Sequence, residues 1–301
     1  MSLKGLKYFL TKPGGWFFFL SSRGLLNWMD DEAYLKRVFK YSLGYELNLD
    51  DPKTFNEKLQ WLKLHDRKPL YTQLVDKYAV KEYVAEKIGP EYVVPVIGGP
   101  WDSADEIDFD ALPDRFVLKC THDSGGVVIC RDKAALDREA AKAKLAKALG
   151  RNFYWANREW PYKDVKPRVF AEQYLSGGDD ASPNDYKVLC FDGKACFIQV
   201  HKGRFAHHTQ DYYDTNWNRL PLMQGIALSQ TPDEKPAFLS ELLSLSEQLS
   251  RGFVHLRVDW FHAEGKLYLG ELTFYDSSGL EKFEPEEYDD ILGDLIRLER
   301  S

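Results

Sequence analysis

Two short segments near the end of the chain carry polar residues at a spacing that suits metal chemistry. Arg257 and Asp259 alternate along one strand-like run, and Glu271 and Thr273 alternate along the next, with a Glu264-Gly265 turn between them. If the strands pair so that the two carboxylates converge, their oxygens suit Mg²⁺, and the arginine could hold a phosphate or an oxyanion in bidentate fashion. The alternative is an ion pair on a solvated sheet face. The apolar flanks of both runs favour a buried strand pair, in which unpaired carboxylates would be costly.

A second segment places a lysine before a glycine-rich turn. Lys119 ends one strand-like run, and Gly125 and Gly126 precede the next. Glycines let backbone N–H groups approach phosphate oxygens closely, and the lysine adds a compact positive charge. His122 and Ser124 would shape this turn. The sequence has no Walker signature, and an ordinary turn after an exposed lysine is the alternative. Ser124 also lacks the context of a nucleophile elbow, which argues against a hydrolase.

Composition limits the class of protein. With 301 residues, of which 44% are hydrophobic and 29% charged, the chain is expected to be a globular protein with two or three subdomains around one cleft. Its net charge of -7 argues against a general nucleic-acid binder, so an anionic nucleotide would need a local basic pocket. The four cysteines show no CxxC spacing and lie in or beside apolar runs, as reduced buried thiols do. These features predict a cytoplasmic protein.

The order of the predicted elements indicates the fold class. Helical spacing of apolar residues dominates the first third of the chain, where Thr54 and Glu57 form a predicted capping box. Short β-type runs follow, with a second two-residue hairpin turn at Asp192-Gly193. Helices that alternate with mainly antiparallel hairpins indicate an α+β fold rather than a doubly wound parallel sheet. The predicted helices are two or three over 30–65, and one each over 70–88, 134–149 and 238–249.

The first 28 residues contain a short aromatic run from Trp16 to Leu20. This run is far below the roughly 20 apolar residues that a membrane-spanning helix needs, and no signal-peptide pattern surrounds it. We therefore expect no transmembrane segment. Packing of the run onto the rest of the protein is the favoured interpretation, and peripheral contact with a membrane surface is the alternative.

Three groups of residues just after position 200 are further candidates for binding. The histidines could bind a metal or face solvent and substrate, and the second is favoured. The basic residues could face an anionic acceptor, and the aromatic residues could stack on a sugar or anchor a packed loop. The groups are His201, His207, His208 and Asp211; Lys202 and Arg204; and Tyr212, Tyr213 and Trp217.

Taken in chain order, these features resemble the ATP-grasp superfamily. Its pattern is a lysine, a second lysine with a glycine loop, a hinge glutamate, Arg-x-Asp and Glu-x-Asn. Lys77 resembles the first nucleotide lysine, Lys119 resembles the second, and the segment 170–175 resembles the hinge strand. The resemblance implies that the adenine of ATP is faced by Glu172, Gln173 and Leu175.

The resemblance also implies roles for the residues near the end of the chain. Asp259 and Glu271 would ligate metal, and Arg257 would steady the reacting oxyanion. Lys187 would contact phosphate or the acceptor carboxylate, with a surface strand lysine as the alternative. Thr273 stands where the superfamily usually has asparagine, and its hydroxyl would coordinate Mg²⁺ or orient a water on it.

One subgroup is indicated by three further segments. The Thr-Phe-Asn-Glu-Lys-Leu-Gln-Trp run at 54–61, Asp185-Tyr186-Lys187 and the Glu-Leu-Thr-Phe run at 271–274 resemble the teichuronopeptide-biosynthesis (TupA-type) ATP-grasp proteins of bacterial surface-polysaccharide loci. The resemblance covers Phe55 to Leu292 and leaves residues 1–30 without a counterpart. It implies an α+β, ATP-grasp fold in which two α+β subdomains clasp ATP. The implied divisions are 1–75 for an N-terminal helical region, 76–168 for a linker helix and the small subdomain with its phosphate loop, and 169–301 for the large subdomain with hinge and metal site.

The implied activity is ATP-dependent ligation of a carboxylate to an amine through an acyl phosphate, with ATP and two Mg²⁺ ions as cofactors. The resemblance points to a uronic acid of a surface polysaccharide and to an amino acid or amino alcohol as the amine. It places the reaction in the cytoplasm or at the inner face of the membrane. The alternatives are a phosphotransferase on the same nucleotide site, a glycosyltransferase with Asp179-Asp180 as its metal motif, and a non-catalytic nucleotide sensor.

Overall fold

The computed structural model describes residues 14–177, 183–203 and 207–298. Helices come first in this part of the chain, and two antiparallel sheets follow, which confirms the α+β prediction. The α-helices are α1 (Gly15–Ser22), α2 (Asp31–Leu43), α3 (Phe55–His65), α4 (Leu70–Val75), α5 (Val80–Ile88), α6 (Arg138–Leu149), α7 (Tyr154–Asn157), α8 (Leu239–Ser250) and α9 (Glu287–Leu295). The strands are β1 (Val96–Trp101), β2 (Phe116–Cys120), β3 (Val127–Cys130), β4 (Val169–Gln173), β5 (Asn184–Phe191), β6 (Lys194–Lys202), β7 (Thr209–Asp214), β8 (Arg219–Leu220), β9 (His255–Ala263) and β10 (Lys266–Thr273).

Side-chain caps determine where several helices begin. The hydroxyl of Thr54 accepts from the backbone N–H of Glu57 at 3.2 Å and the Glu57 carboxylate accepts from the N–H of Thr54, so the predicted capping box begins α3. The prediction of a single helix over 70–88 is wrong. Asp76 accepts from the backbone N–H groups two and three residues later, which separates α4 from α5. Asp137 is the N-cap of α6 and accepts from the backbone N–H three residues later at 2.9 Å, so this helix begins later than predicted.

The aromatic run near the start of the chain packs partly into a small core of its own. Phe17 on α1 is fully buried, and its ring lies 5.2 Å from the ring of Tyr34 on α2. Trp16, Leu25 and Trp28 remain 49%, 58% and 81% exposed, so the same region also presents apolar side chains to solvent. In the ranges given above, no helix is both long and apolar enough to cross a membrane.

The smaller sheet is antiparallel and has the order β1-β4-β2-β3. Strands β2 and β3 flank the glycine-rich turn, as predicted, and α6 covers the sheet with Ala141 and Leu145. The predicted hinge strand β4 lies between β1 and β2. Strand β4 ends at Gln173, and the chain enters the larger sheet with β5. The domain limits remain a prediction.

The larger sheet is antiparallel and has the order β10-β9-β5-β6-β7-β8. Its predicted hairpin turns, Asp192-Gly193 and Glu264-Gly265, have positive φ at both positions, as a two-residue hairpin requires. One face packs on α8, where the indole N–H of Trp260 donates to the hydroxyl of Ser246 at 2.9 Å. The opposite face carries the polar residues of the site.

Strand β10 contains a β-bulge at Gly270. Pairing with β9 runs regularly as far as Leu269 opposite Trp260, and it resumes with Glu271 opposite Asp259. Gly270 is therefore an extra residue. A Cβ atom at this position would lie 3.0 Å from the ring of Phe261, which leaves little room for a side chain. Beyond the bulge, the strand directs its polar side chains to the face on which Asp259 lies.

Candidate active site

A cleft of about 600 Å³ lies between the two sheets. Strands β2 and β3 and the end of β4 line one side, and β5, β9 and β10 line the other. The predicted site residues that line it are Lys77, Lys119, Ser124, Gly125, Glu172, Gln173, Leu175, Lys187, Asp259 and Glu271. The predicted site residues that do not line it are His122, Gly126, Arg257 and Thr273. The structure thus brings residues from distant parts of the sequence to one cavity.

The two predicted metal carboxylates face each other across strands β9 and β10. Glu271 is paired with Asp259, and Lys187 on β5 is paired with Asp259 from the other side. Lys187 Nζ donates to Asp259 Oδ2 at 2.7 Å, and Lys77 Nζ lies 3.4 Å from Glu271 Oε2. Burial would raise the pKa of both carboxyls, but Arg257 and the two lysines outweigh it and hold both pKa values below their ordinary value. Both groups are therefore ionised at neutral pH.

This carboxylate pair suits Mg²⁺. Proteins commonly hold Mg²⁺ through one or two carboxylates and leave its other positions to water and substrate phosphates. Within 14–177, 183–203 and 207–298, no group of three or more His, Cys, Asp or Glu side chains could hold a metal by itself. The two oxygen donors would therefore hold the ion together with phosphate oxygens.

Arg257 lies behind the carboxylate pair instead of lining the cleft. Its Nε and Nη2 both donate to the Asp259 carboxylate at 2.7 Å, and its Nη1 donates to Asp276. Nη2 also donates to Thr273 Oγ1 at 3.2 Å. Arg257 is only 7% exposed. In this arrangement Arg257 positions Asp259, and the Thr273 hydroxyl accepts from Arg257. The prediction that Thr273 coordinates Mg²⁺ or orients a water on it remains a prediction.

Glu172 lies between two lysine side chains. Its Oε1 is 2.6 Å from Lys81 Nζ and its Oε2 is 2.5 Å from Lys119 Nζ. Burial would raise the pKa of Glu172, but Lys119 and Lys81 outweigh it and keep this pKa below its ordinary value. Both carboxylate oxygens are thus engaged with lysines. Gln173 and Leu175, the other two predicted hinge residues, also line the cleft. Lys81 was not among the predicted site residues, although it follows Lys77 by four residues.

The glycine-rich turn presents two of its predicted residues to the cleft. Gly125 has a φ of 132° and open space where a side chain would lie, and Ser124 lines the cleft beside it. Lys77 Nζ donates to the carbonyl oxygen of Asp123 at 2.9 Å. Because the same amine lies near Glu271, Lys77 joins the turn to the metal side of the cleft.

The other two predicted residues of the turn hold its shape. The N–H of Gly126 donates to the Asp123 carboxylate at 3.1 Å, and a Cβ atom at 126 would lie 2.7 Å from Cys120 Sγ. His122 is buried, and its Nε2 donates to the carbonyl oxygen of Ala148 at 3.2 Å, in the last turn of α6. This contact is consistent with the prediction that His122 shapes the loop. A buried ring that does not line the cleft is not placed to contact a nucleotide directly.

A comparison with protein families decides the identity of this arrangement. Residues 57–297 match the family model described as TupA-like ATPgrasp. The chain belongs to the TupA-like ATP-grasp family. ATP-grasp enzymes use ATP and Mg²⁺, in agreement with the lysines and the carboxylate pair of the cleft.

This TupA-like ATP-grasp protein is also similar to several solved structures. D-alanine–D-alanine ligase from Bacillus anthracis in complex with ATP shares 18% identity at a TM-score of 0.41, over 74% of this chain and 63% of that chain. The ATP-grasp ligase PsnB in complex with a precursor variant, Mg and ADP shares 11% at 0.42, over 80% and 64%. N5-carboxyaminoimidazole synthase from Aspergillus clavatus shares 13% at 0.41, over 67% and 44%. The chain spans less than two thirds of each of these proteins, and no curated protein matches its sequence.

The histidines of the TupA-like protein do not form the metal site considered as an alternative. His201 lines the cleft, and its Nδ1 lies 3.0 Å from His208 Nε2. Asp211 is paired with Val200, the neighbour of His201, and therefore lies on the opposite face of the sheet, where it contacts Arg219. No metal cluster is found here in the described part of the chain.

Two of the three aromatic residues, Tyr213 and Trp217, anchor the loop that contains Asp233. The third, Tyr212, is fully buried, and its hydroxyl hydrogen-bonds to glutamine side chains of the same sheet and of the following loop. The rings of Tyr213 and Trp217 stack at 4.3 Å, and both side chains hydrogen-bond to Asp233. Lys202 also contacts the Asp233 carboxylate, so it faces this loop. These contacts favour the packed loop over a sugar platform. Arg204 and the Asp179-Asp180 motif lie outside the described residues.

Proposed function

We propose that this protein is an ATP-dependent carboxylate–amine ligase that forms an amide through an acyl phosphate. The observation that supports it most is the Asp259 and Glu271 pair in one cleft with Lys77, Lys119 and Lys187. Phosphoryl transfer needs positioning and neutralisation of charge, because its transition state spreads negative charge over the phosphoryl oxygens. Membership in the ATP-grasp family supports ATP as the phosphoryl donor.

The proposed reaction has two steps. An oxygen of the substrate carboxylate attacks the γ-phosphorus of ATP, the bond to the β,γ-bridging oxygen breaks, and ADP leaves. The amine nitrogen then attacks the acyl carbon, the carbon–oxygen bond to the phosphate breaks, inorganic phosphate leaves, and the nitrogen loses a proton. One amide forms for each ATP, and the energy of the phosphate bond drives a condensation that is otherwise unfavourable in water.

The residues would divide this work by position. Lys119 and Lys77 would neutralise the phosphates, and Lys77 in particular joins the glycine-rich turn to Glu271. Bound Mg²⁺ would supply charge neutralisation and polarise the transferred phosphoryl group. Lys187 lines the cleft next to Asp259 and would contact the phosphoryl group or the substrate carboxylate. Arg257 would act indirectly, by fixing the Asp259 carboxylate.

The finer parts of the proposal rest on the family resemblance. They are the presence of two Mg²⁺ ions, a uronic acid of a bacterial surface polysaccharide as the carboxylate, and an amino acid or amino alcohol as the amine. Action in the cytoplasm or against the inner face of the membrane belongs to the same proposal. The exposed side chains of Trp16, Leu25 and Trp28 support a peripheral membrane contact, because aromatic side chains favour the membrane interface.

A screen of uronic-acid glycans against a panel of amines tests the proposal. Each mixture would contain ATP and Mg²⁺, and products would be read by mass. The proposal expects ADP release that depends on the amine, together with a product heavier by the amine minus one water. A stable phosphorylated product without amine would instead support the phosphotransferase alternative, and transfer of a sugar would support the glycosyltransferase. The double variant Asp259→Asn/Glu271→Gln is the matched control and should form no product.

A further inference from the structure

The turn that follows β10 has an unusual backbone. Ser277, Ser278 and Gly279 have φ values of 46°, 57° and 61°, so three successive residues lie in the left-handed region. Two of them are not glycine. A non-glycine residue in this region costs free energy and persists only where surrounding contacts fix it, and such strain is concentrated at functional sites.

Helix α3 supplies the contacts that fix this turn. Gln60 Nε2 donates to the carbonyl oxygens of Ser278 and Gly279 at 3.0 and 2.8 Å. Lys63 Nζ donates to the Ser278 carbonyl at 2.8 Å and to Gln60 Oε1 at 2.9 Å. Gln60 and Lys63 are both fully buried. On its other side, the Ser278 hydroxyl donates to the Glu159 carboxylate. The turn is therefore held from two sides by buried side chains.

This left-handed turn also holds Asp276 against the candidate site. Asp276 is 1% exposed, and its Oδ1 accepts from Arg257 Nη1. Its Oδ2 accepts from Gln199 Nε2 at 3.1 Å. Gln199 is the residue of β6 that pairs with Lys187. Asp276 is thus the second carboxylate on the Arg257 guanidinium, opposite Asp259.

We propose that Asp276 is a positioning residue of the ligase site, and that Gln60 and Lys63 of α3 fix the left-handed turn that directs Asp276 onto Arg257. This inference rests on the proposed function, because it assigns to Asp276 a role in keeping the Asp259 and Glu271 carboxylates available to Mg²⁺. It also gives a task to the α3 segment, which supplies no residue to the cleft lining.

The physical reason is a balance of charge around Arg257. In the original protein, the guanidinium is shared between the carboxylates of Asp259 and Asp276. Without the charge of Asp276, Arg257 is balanced by Asp259 alone, and Glu271 Oε1, now 3.7 Å from Nη2, would be drawn toward it. The metal-facing carboxylates would then carry less free negative charge. A cation would bind them more weakly, although both carboxylates are still present.

The variant Asp276→Asn tests this role, with Asp233→Asn as the matched control. Like Asp276, Asp233 pairs with a cationic side chain, but its partner is Lys202, its side chain is 17% exposed, and it does not contact Arg257. For Asp276→Asn we expect turnover to fall about 10-fold or more, and the Mg²⁺ concentration for half-maximal turnover to rise about 5-fold or more. KM for ATP at saturating Mg²⁺ should change less than about 2-fold. Asp233→Asn should leave the Mg²⁺ requirement unchanged.

A double variant shows whether Asp276 acts through Arg257. If it does, Arg257→Gln/Asp276→Asn should lose no more turnover than Arg257→Gln alone, because residues that act as one unit are not additive. The helix side is tested by Gln60→Met, which changes no charge. Amide hydrogen exchange at 276–280 should become at least about 10-fold faster in this variant, and its Mg²⁺ requirement should rise in the same direction as that of Asp276→Asn.

Two results would overturn the inference. One is a folded Asp276→Asn protein with the Mg²⁺ requirement of the original protein, and the other is additive loss in the double variant. Binding of ADP with Mg²⁺, measured by calorimetry, provides the same comparison without any substrate. If the original protein forms no amide but the calorimetric effect of Asp276→Asn is present, the proposed function fails while the positioning role stands. If amide forms but Asp276→Asn leaves Mg²⁺ affinity unchanged, the positioning role fails alone.

Discussion

Replacement of Glu172 by glutamine should destabilise the protein far more than loss of a surface carboxylate. Glu172 is 4% exposed and contacts Lys81 and Lys119 at 2.6 and 2.5 Å. The side chains of these lysines are only 14% and 16% exposed. Without the carboxylate, two positive charges share a buried site with no anion between them. Removal of one partner from a buried ion pair costs roughly 3–5 kcal/mol, and we expect a loss in this range.

Urea unfolding at pH 7 measures this loss, with Asp102→Asn as the control. Asp102 contacts Lys166 at 2.8 Å, but both side chains are more than half exposed. A surface pair of this kind contributes about 1 kcal/mol or less. The same comparison by thermal unfolding should lower Tm by roughly 6–10 °C for Glu172→Gln, at about 2 °C for each kcal/mol in a chain of this size.

A second substitution and a pH series test whether the loss of stability comes from the two lysines left without Glu172. Lys81→Met, introduced into the Glu172→Gln protein, should recover part of the lost stability, because it removes one unpaired cation. The lowered pKa of Glu172 means that its stabilising effect is present above the pKa of the unfolded chain and disappears as pH falls through the lower folded value. The variant should therefore lose less stability than the original protein on acidification. If Glu172→Gln unfolded like Asp102→Asn, or if Lys81→Met gave no recovery, Glu172 would not be compensating the charges of the two buried lysines.

Three further outcomes are expected. Asp259→Asn and Glu271→Gln should each weaken the Mg²⁺-dependent binding of ADP, measured by calorimetry, by about 10-fold or more. Removal of Mg²⁺ with EDTA should weaken ADP binding to the original protein in the same way. If the original protein bound ADP equally well with and without Mg²⁺, the metal assignment would be wrong. Burial lowers the pKa of His255 from 6.5 to about 4, so its stabilising effect is complete above pH 6.5 and is lost as pH falls through 4. Between these pH values, the free energy of unfolding of His255→Leu should therefore fall less than that of the original protein, by up to roughly 3 kcal/mol. Gly279→Ala should cost about 1–3 kcal/mol in urea unfolding, because φ is +61° and the new Cβ atom would lie 2.5 Å from a side-chain amide of α3. At Gly265, where φ is +75° but no atom lies within 4 Å, the same change should cost less.

Local rules predicted that Asp259 and Glu271 converge, but only if the hairpin paired in the register that places them opposite each other. A regular hairpin from the Glu264-Gly265 turn would place Asp259 opposite Gly270 and turn Glu271 toward the core face. The bulge restores the required pairing. Its signal is the spacing of the buried leucines 267, 269 and 272, which changes from two to three residues. The predicted strand alternation and the predicted turn were therefore correct, but the bulge at Gly270 was not predicted.

The residues that sequence analysis missed are those whose role depends on distant partners. Lys81 becomes part of the site only because β4 brings Glu172 to it, and Asp276 does so only because Arg257 on β9 contacts it. Neither has a motif of its own. In the same way, the local pattern around His122 and Gly126 gave the correct loop but not the direction of each group, since that direction is set by Asp123 and by α6. Periodicity specifies which face a residue occupies, whereas burial and pairing depend on the whole fold.

The bulge at Gly270 has a consequence for chain length. Because Gly270 and Glu271 together oppose Asp259, a strand shortened by Gly270 would still pair its glutamate with Asp259. The threonine two positions later would likewise keep its place opposite Arg257. Relatives that are one residue shorter at this point can therefore retain the same carboxylate pair, and a gap in their alignment here would not mark the loss of the site. By contrast, a one-residue insertion between Asp259 and Glu271 would shift the pairing by one residue. Unless the turn accommodated the extra residue, one of the two carboxylates would then point away from the cleft.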